Sequence, residues 1–100
     1  MTMEEKLINY SMKINIEIIN FKKELYEISQ EEISKEELIE FTENINYIIG
    51  SLTIQNLAID TILTHIKNDP YYIEKNKNYL NDFLNNFEQY CNKYKIGEKK

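Results

Sequence analysis

Apolar residues recur at helical spacing along almost the whole chain. Leu7, Ser11, Ile14, Ile18, Phe21, Leu25 and Ile28 follow one another by alternating steps of four and three, the pattern of one helix face packed into a bundle. Thr2 and Glu5 stand just ahead of this run at capping-box spacing, which marks its start. Met12, Ile19 and Tyr26 widen the apolar face, predicting that the first helix touches more than one neighbour. The stretch "ISQEEISKEE" then breaks the pattern, and Ser34 with Glu37 repeats the capping-box spacing. A turn from Ser29 to Ser34 joining two antiparallel helices is the expectation.

Leu38, Phe41, Ile45, Ile48, Leu52, Gln55, Ile59, Ile62 and Ile66 carry the same steps through nine positions with one polar exception. The phase crosses Gly50 without a slip, and a helix broken at a turn has no reason to preserve phase. One helix from Lys35 to Asn68 is therefore predicted, roughly 50 Å long at 1.5 Å per residue. The alternative breaks it at Gly50–Ser51, with the glycine ending one helix and the serine capping the next. Asp69 suits an N-cap and Pro70 the first helical position. Ile73, Asn76, Leu80, Phe83, Phe87, Tyr90 and Tyr94, flanked by Leu84 and Cys91, then define the last helix. The predicted fold is all-α: an antiparallel bundle of three long helices, or four shorter ones if the break at Gly50–Ser51 is real. Residues 1–96 form a single domain, and 97–100 are expected to be a frayed tail.

The middle segment carries a second pattern opposite the first. Glu36, Glu40, Glu43, Tyr47, Gly50, Ile54 and Leu57 step by four and three, beginning as carboxylates and becoming apolar. A glycine inside a helix costs roughly 1 kcal/mol relative to alanine, so its place in an apolar row points to close approach of another chain. If instead the other helices wrap widely enough, Tyr47 to Leu57 are ordinary core. The expectation here is a contact surface for a partner or for a second copy.

Charge adds a second feature. The chain of 100 residues has a formal charge of −5, and it is unevenly spread. From Glu24 to Glu43 there are eight glutamates and only Lys35 to oppose them, so one end of the bundle is expected to carry negative potential and to suit a partner with a basic surface. Glu31, Glu32, Glu36, Glu40 and Glu43 are the candidate contact residues there; a merely solvated face is the plainer reading. The chain has no arginine and no tryptophan. Without a basic face or guanidinium forks, direct nucleic-acid binding is not expected. Abundant Ile, Asn, Lys, Glu and Tyr suit an AT-rich bacterial or phage genome.

Reaction chemistry finds little support. Cys91 is the only cysteine, so neither an internal disulfide nor a Cys/His zinc site is expected, and a reducing cytosol fits best. No apolar run has the length of a signal peptide or a membrane span. His65 is the only histidine, its "HIKND" context departs from the "HxxKG" of phosphotransfer bundles, and a boundary position is expected for it. Paired ExxH motifs for a di-iron centre are missing. No catalytic, cofactor or metal residue is therefore nominated. The expected function is a non-enzymatic protein-binding module: a small acidic cytoplasmic inhibitor or adaptor, of the kind a phage or mobile element uses against a host defence protein. The alternatives are a self-assembling helical subunit and an immunity protein against a bacterial toxin.

Overall fold

The computed structural model describes residues 1–94, which contain no strand. They form α1 (Met3–Ser29), α2 (Lys35–Asn68), α3 (Tyr72–Lys75) and α4 (Lys77–Tyr94), an all-α antiparallel bundle. The domain limit at 96 and the tail expected from 97 lie outside the described residues.

Both predicted N-caps are formed. Thr2 is extended, accepts the Glu5 N–H at 3.1 Å and donates its hydroxyl to the Glu5 carboxylate at 3.2 Å. Ser34 accepts the Glu37 N–H at 3.2 Å and opens α2 in the same way. These bonds satisfy amide donors that have no partner inside the helix, which is why the two helices begin where they do. Between them the chain reverses over Gln30–Ser34, and α2 then runs unbroken through Gly50 and Ser51.

α1 and α2 pack side by side as a hairpin. A small polar network ties them together: Ser11 donates to the Asn56 side-chain Oδ1 at 2.7 Å, and Asn56 Nδ2 donates to Asn15 Oδ1 at 3.1 Å. α4 returns alongside both. The Tyr10 ring meets Phe87 with centroids 4.8 Å apart, the Tyr10 hydroxyl donates to Glu88 at 2.8 Å, and the Tyr90 hydroxyl donates to Ser51 at 2.8 Å. Leu7 and Ile14 from α1, Leu52, Ile59 and Ile62 from α2, and Leu80, Leu84 and Phe87 from α4 form one buried cluster. Each such side chain contributes about 1.5–3 kcal/mol on leaving water.

The last segment differs from the single long helix expected. Asp69 accepts the Tyr71 N–H at 2.9 Å, as a cap-like acceptor, but the turn it stabilises leads only into the one-turn α3. The chain kinks at Asn76 (φ −119°, ψ 24°), whose side-chain amide donates to the Tyr72 carbonyl at 3.0 Å. The Asn76 backbone N–H donates to the same carbonyl at 3.0 Å, so one oxygen takes both donors where α3 ends. Among the described residues α4 has 18 residues against 34 in α2, and it lies along about half of the hairpin. The molecule is elongated, 55 × 22 × 18 Å. Neither Ile18–Ser29 nor Lys35–Asn44 contains a buried residue; Phe21, Leu25, Ile28, Leu38 and Phe41 are half-buried there. Two helices alone cannot enclose a side chain on all sides.

α1 does meet two neighbours, α2 and α4, but the residues expected to widen its contact face lie against neither. Met12, Ile19 and Tyr26 are 57%, 64% and 67% exposed, and Ile8 and Ile16 lie exposed beside them. Among the described residues α4 packs on the side of α1 that carries Tyr10, not on the side that carries these residues.

Candidate protein-binding surface

The outer face of α2 is uncovered. Tyr47, Ile54 and Leu57 are 71%, 68% and 66% exposed, whereas Leu52 and Ile59 on the opposite face are fully buried. The four-three spacing sets this outcome. An α-helix turns 100° per residue, so the two rows stand about half a turn apart and cannot both face α1 and α4. Ordinary core is therefore not the environment of these side chains.

Gly50 lies inside the helix with open space before it: a Cβ built there meets no heavy atom within 4 Å. Asn46, Tyr47, Gly50, Ser51 and Ile54 enclose a shallow notch of about 350 Å³ whose floor is the glycine backbone. One turn further on, Ile54 and Leu57 form one wall of a larger groove of about 580 Å³, with His65, Tyr72 and Tyr79 among its other lining residues. His65 stacks on Tyr72, centroids 5.1 Å apart and planes 12° from parallel. The α2 row thus joins two concavities that meet at Ile54. The groove was not legible in the sequence, because α3 brings Tyr72 to His65 only after the turn at Asp69–Tyr71.

The acidic residues lie at the other end of the molecule. Glu31 and Glu32 are exposed in the turn between α1 and α2, and Glu36, Glu40 and Glu43 are exposed on the first turns of α2. None of them is paired with a lysine: among the described residues the one ion pair is Lys75–Asp69 at 3.5 Å, remote from this end. Tyr47 stands about 18 Å along the helix axis from the start of α2 at 1.5 Å per residue. The carboxylates at the turn and the apolar stretch are thus separate patches, bridged by the row Glu36, Glu40, Glu43. Glu17 has a different fate: it is 7% exposed on the inner row of α1 between Ile14 and Phe21.

Cys91 is half-buried against the core, and burial, the largest cause, pushes its thiol pKa up; Lys13 nearby opposes this and Glu88 adds to it. A raised thiol pKa means less thiolate and a weaker nucleophile. Among the described residues no group of three His, Cys, Asp or Glu side chains is placed to hold a metal ion. No helix among them is long and apolar enough to cross a membrane. Compared with protein-family models, curated proteins and solved structures, the chain matches none.

Proposed function

We propose that this protein is a non-enzymatic protein-binding module, a small acidic inhibitor or adaptor that acts in the cytoplasm by occupying a partner's surface. One observation carries the reading: an unbroken helix holds Tyr47, Ile54 and Leu57 largely exposed in a single row that continues into carboxylates with no ion-pair partner among the described residues. Large apolar side chains in a row on a small domain are costly to leave in water and mark a contact site. The carboxylates, exposed and unopposed, add long-range attraction toward a basic partner. An AT-rich composition and 100 residues suit an inhibitor encoded by a phage or mobile element against a host defence protein.

The test uses the immobilised protein to capture partners from its native host at low and high salt. The variants Ile54→Ser/Leu57→Ser and Glu31→Gln/Glu32→Gln remove the apolar row and the charge at the hairpin end separately. A protein retained by the wild type and lost when the row is removed supports the reading, and its loss at high salt and in the charge variant adds the acidic end. Capture unchanged by loss of the row overturns the reading.

A further inference from the structure

The outer face of α1 carries apolar side chains framed by charge. Ile8, Met12, Ile16, Ile19 and Tyr26 are each more than two-fifths exposed, on the side turned away from α4. Glu4 and Glu5 stand at one end of this face and Lys22 and Lys23 at the other, all four exposed. Eighteen residues make about five helical turns, so Lys22 stands above Glu4 and Lys23 above Glu5. Ile8, Met12 and Ile19 lie between those two lines. Among the described residues none of the four charged side chains forms an ion pair.

We propose that this face binds a second copy of itself, with the two α1 helices antiparallel. The inference goes beyond the binding function proposed above and uses a different face of the molecule. The order of charge selects the occupant. A two-fold contact needs a surface complementary to itself, in which a residue that touches another is touched by it in return. Glu5 precedes Ile8 by three places, and Lys22 follows Ile19 by three. An antiparallel copy therefore sets Glu4 and Glu5 against Lys23 and Lys22, with Ile8 against Ile19 and Met12 against Ile16 between them. A parallel copy would bring Glu to Glu and Lys to Lys, and like charges set against one another are destabilising.

No other charge along this length reverses the pattern. The remaining charged residues of α1 between Glu4 and Lys23 are Lys6, Lys13 and Glu17, which helical spacing places on the side of Tyr10. Lys13 lies over the Tyr10 ring at 5.8 Å, and Glu17 is buried. α2 brings one charge, Asp60, to the same stretch. It stands one turn beyond Asn56, which binds Ser11 and Asn15, so it falls beside Ile8 and adds to the acidic end. The α1 face itself carries two carboxylates and two ammonium groups on a chain of charge −5, so copies repel one another least there.

The five apolar side chains expose roughly 500 Å², near the upper end for the largest apolar patch of a monomer. Two copies bring about 1,000 Å² together before the charged edges are counted, the size at which specific contacts begin. Dissociation in the micromolar range is expected.

Sedimentation equilibrium of the full chain between about 1 μM and 1 mM measures the association. Glu4→Lys/Glu5→Lys and Lys22→Glu/Lys23→Glu each put one sign of charge at both ends of the face. Each should dimerise at least tenfold less tightly than the wild type with helix content unchanged, and an equimolar mixture of the two should recover the wild-type association. Lys35→Glu/Lys77→Glu makes the same change in net charge as the second variant, at two helix starts off this face, and should associate like the wild type. A wild-type monomer at every concentration overturns the inference, as does a mixture that associates no better than its components. Equal weakening by Lys35→Glu/Lys77→Glu would assign the effect to net charge and reject the contact. Ile54→Ser/Leu57→Ser should leave the dimer intact, and its loss there would move the contact to α2 against this inference. Failure on α1 leaves capture by the outer row of α2 to its own test.

Discussion

At the scale of single residues, Gly50 and its neighbours separate the cost of folding from the use of the surface. Because a Cβ at Gly50 meets nothing within 4 Å, Gly50→Ala should stabilise the dilute monomer by up to about 1 kcal/mol through helix propensity alone. The same methyl group partly fills the notch, so the variant should associate less tightly. Opposite signs in a thermal melt at low concentration and in a binding measurement are the expected outcome. Ile54→Ser with Leu57→Ser should change monomer stability by no more than about 1 kcal/mol, since each side chain is mostly in water. Leu52→Ala, in the same stretch but fully buried, should cost about 2–5 kcal/mol. Equal losses for the outer and inner substitutions in urea unfolding would return Tyr47 to Leu57 to the core.

Among the elements, α4 depends most on side chains whose state changes with pH. Its contacts with α1 and α2 centre on Phe87, on the Tyr10–Glu88 bond and on the Tyr90–Ser51 bond. Burial, then the hydrogen bond to Glu88 and that carboxylate's charge, push the Tyr10 hydroxyl up to about 12; burial also raises Tyr90. A raised phenol pKa means that the folded protein holds the proton more tightly than the unfolded chain does. The resulting stability is complete below about pH 10, the pKa of free tyrosine, and is lost as pH rises from there toward 12. Unfolding in urea at pH 8 and at pH 11 should therefore show a drop for the wild type and a smaller drop for Tyr10→Phe. An equal drop in both would place the sensitivity elsewhere.

For the whole molecule, partial cover by α4 divides the hairpin into a packed end and an open end. All buried side chains of α1 lie at or before Glu17, and all those of α2 at or after Ile45. Local opening follows local burial, so amides of Ile18–Ile28 and Leu38–Asn44 should exchange with solvent faster than those of Leu7–Ile14 and Leu52–Ile62. Hydrogen exchange followed by NMR measures this directly, and uniform protection along α1 would contradict it. The open end is also the acidic end, so charge that would be costly to bury lies where no third helix has to cover it.

Spacing and caps in the sequence determined the first two helices. The capping residues Thr2 and Ser34, the turn between Ser29 and Ser34, and the unbroken passage through Gly50 all follow from contacts within a few residues, where periodicity and capping chemistry act. The outer row of α2 was legible for the same reason, because a row half a turn from the core must point away from it. The same phase rule misled at Asn76, where spacing is preserved and the helix nonetheless kinks: phase records which face a residue takes, not the backbone angles it adopts, here φ −119° and ψ 24°. Tertiary structure alone decided where the chain breaks before the last helix and on which side of the hairpin that helix lies. Those two quantities leave Met12, Ile19 and Tyr26 exposed, bury Glu17 and build the groove at His65 and Tyr72. Each depends on residues distant in sequence meeting in space, and a one-dimensional pattern records only which faces seek cover, not which element arrives to supply it.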